Sequence, residues 1–187
     1  MAELWDLYDE NGTKTGETAP RGASNATQHL PKGRYHLVAA IWVCAPDGRF
    51  LLIRRAPGKI FPLYWAYPGG SALVGESGLQ AALRETMEET GLALSPEAGR
   101  LFCRCRSEDS IYDVWLFRQE IDLDGVVLQA GETIGAALAG MDEIRAMIAD
   151  GSFLPPERVP YFEALTAYLR ALTAKEASCK EGEPHRG

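Results

Sequence analysis

The stretch from Gly69 to Leu92, "GGSALVGESGLQAALRETMEETGL", limits what this chain can fold into more than any other segment. Glu85, Glu88 and Glu89 crowd one helical segment, where like charges at such spacing repel and weaken a bare helix. Helical periodicity begins after Glu76-Ser77 and stops at Gly91, with Ser77 placed as N-cap and Gly91 as the C′ residue. At about 100° per residue, Leu79, Leu83, Thr86 and Thr90 form a stripe expected to face the core. The three glutamates fall within an arc of about 100° beside it, at the edge of the buried face, where a lower dielectric sharpens their repulsion. Arg84 can reach Glu88 one turn on, but one guanidinium does not balance three carboxylates. A hard divalent cation does: Mg²⁺ or Mn²⁺ takes oxygen ligands, and Mg²⁺ commonly shares its coordination between carboxylates and substrate phosphates. A solvated acidic face is the alternative. Gly69-Gly70, Gly75 and Gly91 favour the cation, because they bracket the helix with backbone that can approach a ligand closely.

The rest of the sequence bounds the setting. With 187 residues, 46% of them hydrophobic, the chain suits one well-buried core. Nineteen glycines and eleven prolines imply many turns and an α/β or α+β domain. A net charge of -7 argues against a nucleic-acid polymer as partner, since phosphate backbones select basic surfaces. It admits a small phosphorylated ligand bridged by a cation. Cys44, Cys103, Cys105 and Cys179 are scattered, and His29, His36 and His185 do not complete a ligand spacing, so free thiols are expected. The start "MAELWDLYDE" lacks a signal-peptide pattern, and no apolar run approaches the roughly 20 residues that span a bilayer. A cytoplasmic protein with no membrane partner is the expectation.

Along the chain, "ELWDLYDENGTKTGE" reads as a β-hairpin turning at Asn11-Gly12, and residues 20–33 read as a loop. "YHLVAAIWVCAP" and "RFLLIRRA" form a second hairpin around Asp47-Gly48, while "PGKIFPLYWAYPGG" is turn-rich. "RLFCRCR" and "SIYDVWLFRQEI" are further strands. Residues 141–149 and 157–172 read as helices, the second interrupted by Pro160. The resulting organisation is an N-terminal hairpin and loop at 1–34, the main domain at 35–173, and a polar, disordered tail at 174–187.

The segment from Gly70 to Leu92 resembles the Nudix box, the loop–helix–loop of Nudix hydrolases. Gly70, Glu76, Arg84-Glu85, Glu88-Glu89, Gly91 and Leu92 match its fixed positions. Thr86 departs from it, standing where the family prefers Leu, Val or Ile. The lead-in "WAYPGG" also matches. The resemblance implies a single Nudix-type α/β/α sandwich around a central mixed β-sheet. It implies Glu85, Glu88 and Glu89 as metal ligands and catalytic groups, the Gly70 carbonyl as a backbone ligand, and Glu76 and Arg84 as braces of the site. The implied reaction is hydrolysis of a phosphoanhydride, in a nucleoside diphosphate linked to another moiety or a related organic pyrophosphate, by metal-activated water. In several relatives a later acid serves as base. Glu132 in "QAGET" is assigned that role here, with Glu108, Asp109 and Glu120 as competitors.

Specificity lies outside the box. Arg54, Arg55 and Lys59 make a basic cluster suited to clamp phosphate in an acidic chain. Tyr64, Trp65 and Tyr67 can stack on a base or fill the core; Tyr64 is assigned to substrate and Trp65 to the core. "LWDLYDENGTKTG" followed by "LPKGRYHLVAAIWV" resembles the Nudix subgroup related to isopentenyl diphosphate isomerase. Those isomerases carry a catalytic cysteine ahead of the box, where this chain has "LYWAYPGGSAL", so an isomerase is the lesser alternative. A catalytically silent binding domain is another, opposed by the intact glutamates. The apolar "LWDLY" face suggests a homodimer contact.

Overall fold

A computed structural model describes residues 3–21 and 30–181. The chain folds around one long strand. β3 (Tyr35–Cys44) runs parallel to β8 (Ser110–Arg118) along its whole length on one edge. Its other edge is shared in turn by three antiparallel partners: β1 (Leu4–Tyr8), β6 (Gly69–Ser71) and β4 (Phe50–Arg55). β2 (Lys14–Pro20) extends the sheet beyond β1, and β7 (Gly99–Arg106) beyond β8. β4 also pairs with β5 (Trp65–Ala66) and β9 (Thr133–Ala139). The sheet is mixed, as expected.

Alternation along β3 builds two cores. Ala40, Trp42 and Cys44 point to one face, packed with Phe153, Phe162 and Leu165 beneath α2 (Met141–Asp150) and α3 (Phe162–Glu181). Ala39, Ile41 and Val43 point to the other, against Ala81 and Ala82 of α1 (Gly78–Thr90). A strand buried on both faces needs apolar residues at successive positions, and "AAIWVC" supplies them. This is the α/β/α sandwich.

α1 begins and ends where the sequence places it. Ser77 and Gln80 form a capping box, and Gly91 closes the helix at φ 70°, a conformation that costs a glycine little. The buried face is rotated from the expected stripe. Thr86 and Thr90 are fully buried, but Leu79 and Leu83 are only partly so, and Glu85 and Glu89 lie inside the buried face rather than at its edge. Thr86, the departure from the box pattern, donates its hydroxyl to the Ala82 carbonyl at 2.9 Å. Its polar atom is thus satisfied within the helix.

Three short strands, β5, β6 and β9, occupy segments the sequence left as turns or unassigned. Of the aromatic trio, Tyr67 belongs to the core, while Trp65 is half-buried against it. The second expected helix splits: Pro156–Arg158 makes one 3₁₀ turn, and α3 starts only after Pro160. α3 then runs to Glu181, into the segment assigned to the tail; residues 182–187 lie outside the described set, as do 22–29 of the N-terminal loop. The hairpin is as read, but Trp5, Leu7 and Tyr8 are buried within this chain, which removes the apolar face that suggested a second subunit. Among the described residues no helix is long and apolar enough to cross a membrane.

Candidate active site

Two glycines let the box helix close on the sheet. A side chain at Gly69 would place its Cβ 2.4 Å from the Ala39 carbonyl oxygen, and one at Gly70 would place it 2.4 Å from the Glu85 carboxyl carbon. The sequence "PGG" therefore brings the backbone of β6 directly against the acids of α1. Gly69 N–H donates to Glu89 Oε2 at 2.8 Å. Thr133 Oγ1 of β9 donates to the Glu89 carbonyl at 3.2 Å, pinning the helix from the other side.

Arg84 organises the acids. Nε and Nη2 donate to the two oxygens of Glu76, Nη1 to Glu85 at 2.8 Å and Glu88 at 3.1 Å, and Nη2 also to the Ser71 carbonyl at 3.0 Å. Glu76 in turn accepts the Leu73 N–H at 2.8 Å, closing the loop. The sequence paired Arg84 with Glu88; the guanidinium spans three carboxylates, and Glu76 is the bidentate one. It holds the Glu76 carboxyl below its usual range.

Burial pushes the other two acids the opposite way. Glu85, 8% exposed, has its pKa raised by desolvation against the pull of Arg84. Glu89, 5% exposed, is raised to about 8, again by desolvation, which outweighs the pull of Arg55. Both line a cavity of about 250 Å³, together with Gly69 and Gly70. Glu88 does not line it; its side chain is 43% exposed. Among the described residues no group of three His, Cys, Asp or Glu side chains is already arranged to hold a metal ion. The donor set nonetheless fits one: two buried carboxyls and adjacent glycine backbone, all hard oxygens, on one wall of the cavity.

The same cavity carries cations. Arg55 and Lys59 line the cavity, and Lys59 pairs with Glu132, which lines it too. Arg54 and Tyr64 do not reach it. Arg54 projects to the other face of β4, where its Nε donates to the Leu63 carbonyl at 3.2 Å, and Tyr64 packs on Phe61 with ring centres 5.7 Å apart. Successive residues of a strand point opposite ways, so the pair "RR" could deliver only one arginine. Of the competing acids, Asp109 lines the cavity and Glu108 and Glu120 do not. No cysteine of the described residues lines it, and burial raises the Cys103 and Cys105 thiols.

Several lining residues carry no local sequence signal. Trp5, Arg21 and His36 come from the N-terminal hairpin and the start of β3, and Tyr112 and Arg158 from β8 and the 3₁₀ turn. Arg158 donates to the Tyr112 hydroxyl at 3.1 Å and lies 5.5 Å over the Phe61 ring. Only the pairing of β1 and β8 with β3 brings these segments together.

Comparison with known proteins gives a consistent picture. A family model described as NUDIX domain matches residues 34–167. An uncharacterised Nudix hydrolase of Listeria monocytogenes is 33% identical over 82% of this chain and 89% of its own. An isopentenyl-diphosphate delta-isomerase of Streptomyces avermitilis is 37% identical, but over only 52% of this chain and 49% of its own. The crystal structure of DR0079 from Deinococcus radiodurans superposes with a TM-score of 0.67 at 21% identity, covering 87% of this chain and 98% of that one.

Proposed function

The chain belongs to the Nudix hydrolase family, enzymes acting on pyrophosphate bonds, and from that premise we propose that it hydrolyses a phosphoanhydride in a nucleoside diphosphate linked to another moiety, or a related organic pyrophosphate. One observation carries the reading: Glu85 and Glu89, one helical turn apart, are buried in a cavity that Arg55 and Lys59 also line. Two acids kept from water and raised in pKa are poorly placed as surface charge and well placed to receive a cation.

Glu85, Glu89 and the Gly70 carbonyl would hold Mg²⁺ or Mn²⁺, joined by Glu88 once its exposed side chain leaves Arg84. Such a cation neutralises a diphosphate and acidifies water for in-line attack. The chain's own residues do the rest. Arg55 and Lys59 bind the phosphate oxygens, which draws Lys59 from Glu132. Glu132, released, accepts the proton of the attacking water. Glu76 and Arg84 keep loop and helix in register so that the carboxyls stay aimed at the cavity. Among the described residues no cysteine lines the cavity, which leaves an isomerase's alkene protonation without an acid of the kind those enzymes use. The reading takes the protein as cytoplasmic and its partner as a small phosphorylated solute, and requires neither nucleic-acid polymer, membrane nor a second copy of the chain.

The test is release of phosphate or nucleoside monophosphate from a panel of nucleoside diphosphate derivatives, with Mg²⁺, Mn²⁺ or chelator. Turnover of at least one member that chelator abolishes is expected. No turnover of any member with either cation would refute the reading.

A further inference from the structure

The loop that leads into α1 is fixed by more than its own residues. Its successive amides, from Ala72 to Glu76, all have acceptors. Ala72 N–H donates to the Leu37 carbonyl at 2.8 Å and Leu73 N–H to Glu76 Oε2 at 2.8 Å. Val74 N–H donates to the Leu4 carbonyl at 2.8 Å, Gly75 N–H to Asp6 Oδ2 at 2.8 Å, and Glu76 N–H to the Leu73 carbonyl at 3.0 Å. With these amides engaged, the loop serves the site through where it puts Glu76 rather than by cradling a phosphate.

Two of those acceptors belong to the N-terminal hairpin. β1 pairs with β3 through Leu7 and Tyr8, while its first residues turn to the loop instead, Leu4 with a carbonyl and Asp6 with a carboxylate. Against β2 the register of β1 shifts between Asp6 and Tyr8, an irregularity of the kind that re-aims a strand's side chains. The Asp6 side chain is 17% exposed, and the oxygen that takes the Gly75 N–H also takes Lys14 Nζ of β2 at 2.6 Å. A charged acceptor grips a backbone N–H more strongly than a neutral one, and the lysine holds that acceptor over the loop.

Beyond Gly75 the contacts run without a break to the acids. Glu76 is gripped by Arg84, and Arg84 Nη1 reaches Glu85 at 2.8 Å. We propose that Asp6 is a positioning residue of the active site: it fixes the loop from the hairpin side and, through Glu76 and Arg84, sets the placement of Glu85. Asp6 itself does not line the cavity. Its effect on a cation at Glu85 rests on the hydrolase reading; the brace from Asp6 to Arg84 does not.

Three variants separate the brace from the ion pair. Asp6→Ala removes the acceptor, Asp6→Asn keeps one oxygen for the Gly75 N–H but loses the charge, and Lys14→Met removes the ion pair alone. Asp6 and Lys14 belong to neither core, so all three keep the fold. Two measurements on the full chain read the effect: the exchange rate of the Arg84 Nε–H by NMR, and Mn²⁺ affinity by calorimetry. Asp6→Ala should speed that exchange at least about tenfold, the scale of one lost hydrogen bond to a charged group. It should weaken Mn²⁺ binding about tenfold, the low end for removing a partner that stands behind a metal ligand. Asp6→Asn and Lys14→Met should stay within about threefold of wild type in both, since a partly exposed ion pair contributes little. Unaltered exchange or unaltered Mn²⁺ affinity in Asp6→Ala overturns the role. Equal weakening in all three variants overturns it too, because the ion pair would then be a staple of the hairpin alone. A wild type that takes up no Mn²⁺ refutes the cation reading instead, and the exchange rate then decides the brace by itself.

Discussion

Arg84 and Glu76 meet fork to fork across the box, Nε to one carboxylate oxygen at 2.7 Å and Nη2 to the other at 2.9 Å. The same guanidinium reaches Glu85, Glu88 and the Ser71 carbonyl, so one side chain ties the loop, the helix and the strand before them. A lysine cannot reproduce a planar fork with several donors. Arg84→Lys should therefore destabilise the fold by about 2 kcal/mol, less than the loss of a fully buried pair because the side chain is partly exposed. Urea denaturation measures it, and a change within about 0.5 kcal/mol, the range of ordinary surface substitutions, would show the fork to be incidental.

Gly70 faces the Glu85 carboxyl with room for hydrogen only. Gly70→Ala should leave the sheet register intact, since β6 is extended there, but displace Glu85 from its place beside the cavity. Turnover should fall by at least about tenfold, as a misplacement on the order of 1 Å in a catalytic group can cost more than that. Unchanged turnover would mean that the close approach is a packing feature alone.

How much of this was legible in the sequence differs by residue. Ser77, Gly91 and the limits of α1 follow from local rules of capping, and the structure has them as read. The hairpins at Asn11-Gly12 and Asp47-Gly48 are equally local. β6 was not legible, because three residues that pair only through β3 have no periodicity of their own. Arg54 and Arg55 stood as one cluster in sequence, and the pleat of β4 separates them. Trp5 and His36 lie far apart in the chain and meet only through the β1–β3 pairing. The depth of Glu85 and Glu89 was also hidden: it depends on which way α1 is rotated against the sheet, and small Ala81 and Ala82 set that rotation by letting it approach closely.

Glu89 gives stability a pH dependence of definite sign. Its pKa is raised from 4.5 to about 8 in the folded chain, so between those values the native state keeps a proton that the unfolded state has lost. Stability from this group is full below the unfolded value and falls as pH rises toward about 8, by about 1.4 kcal/mol per pH unit. Glu85, also raised, acts in the same direction. Urea denaturation with chelator from pH 5 to 8 should show wild type losing stability relative to Glu89→Gln, and saturating Mg²⁺, which favours the ionised acid, should remove that loss. Parallel curves for the two proteins would refute the assignment.

Lys59 and Glu132 pair with each other in the lining of the cavity, and the two should separate kinetically. Glu132→Gln removes the proton acceptor, so kcat should drop by about a hundredfold or more with KM little changed. Lys59→Met removes a phosphate contact, so KM should rise by about tenfold. Steady-state kinetics on one substrate decides both; a Glu132→Gln enzyme with wild-type kcat would return the role of base to another acid, with Asp109 next at the cavity.

The central claim is that the buried acids of α1 exist to take a divalent cation. Calorimetric titration of Mg²⁺ and Mn²⁺ into the purified chain tests it most directly. Saturable uptake is predicted in the wild type, abolished in Glu85→Gln and Glu89→Gln. In Glu88→Gln it should weaken while the fold is kept, with turnover down by at least about a hundredfold. Absence of uptake of either cation by the wild type, with a nucleotide present or not, would contradict the claim.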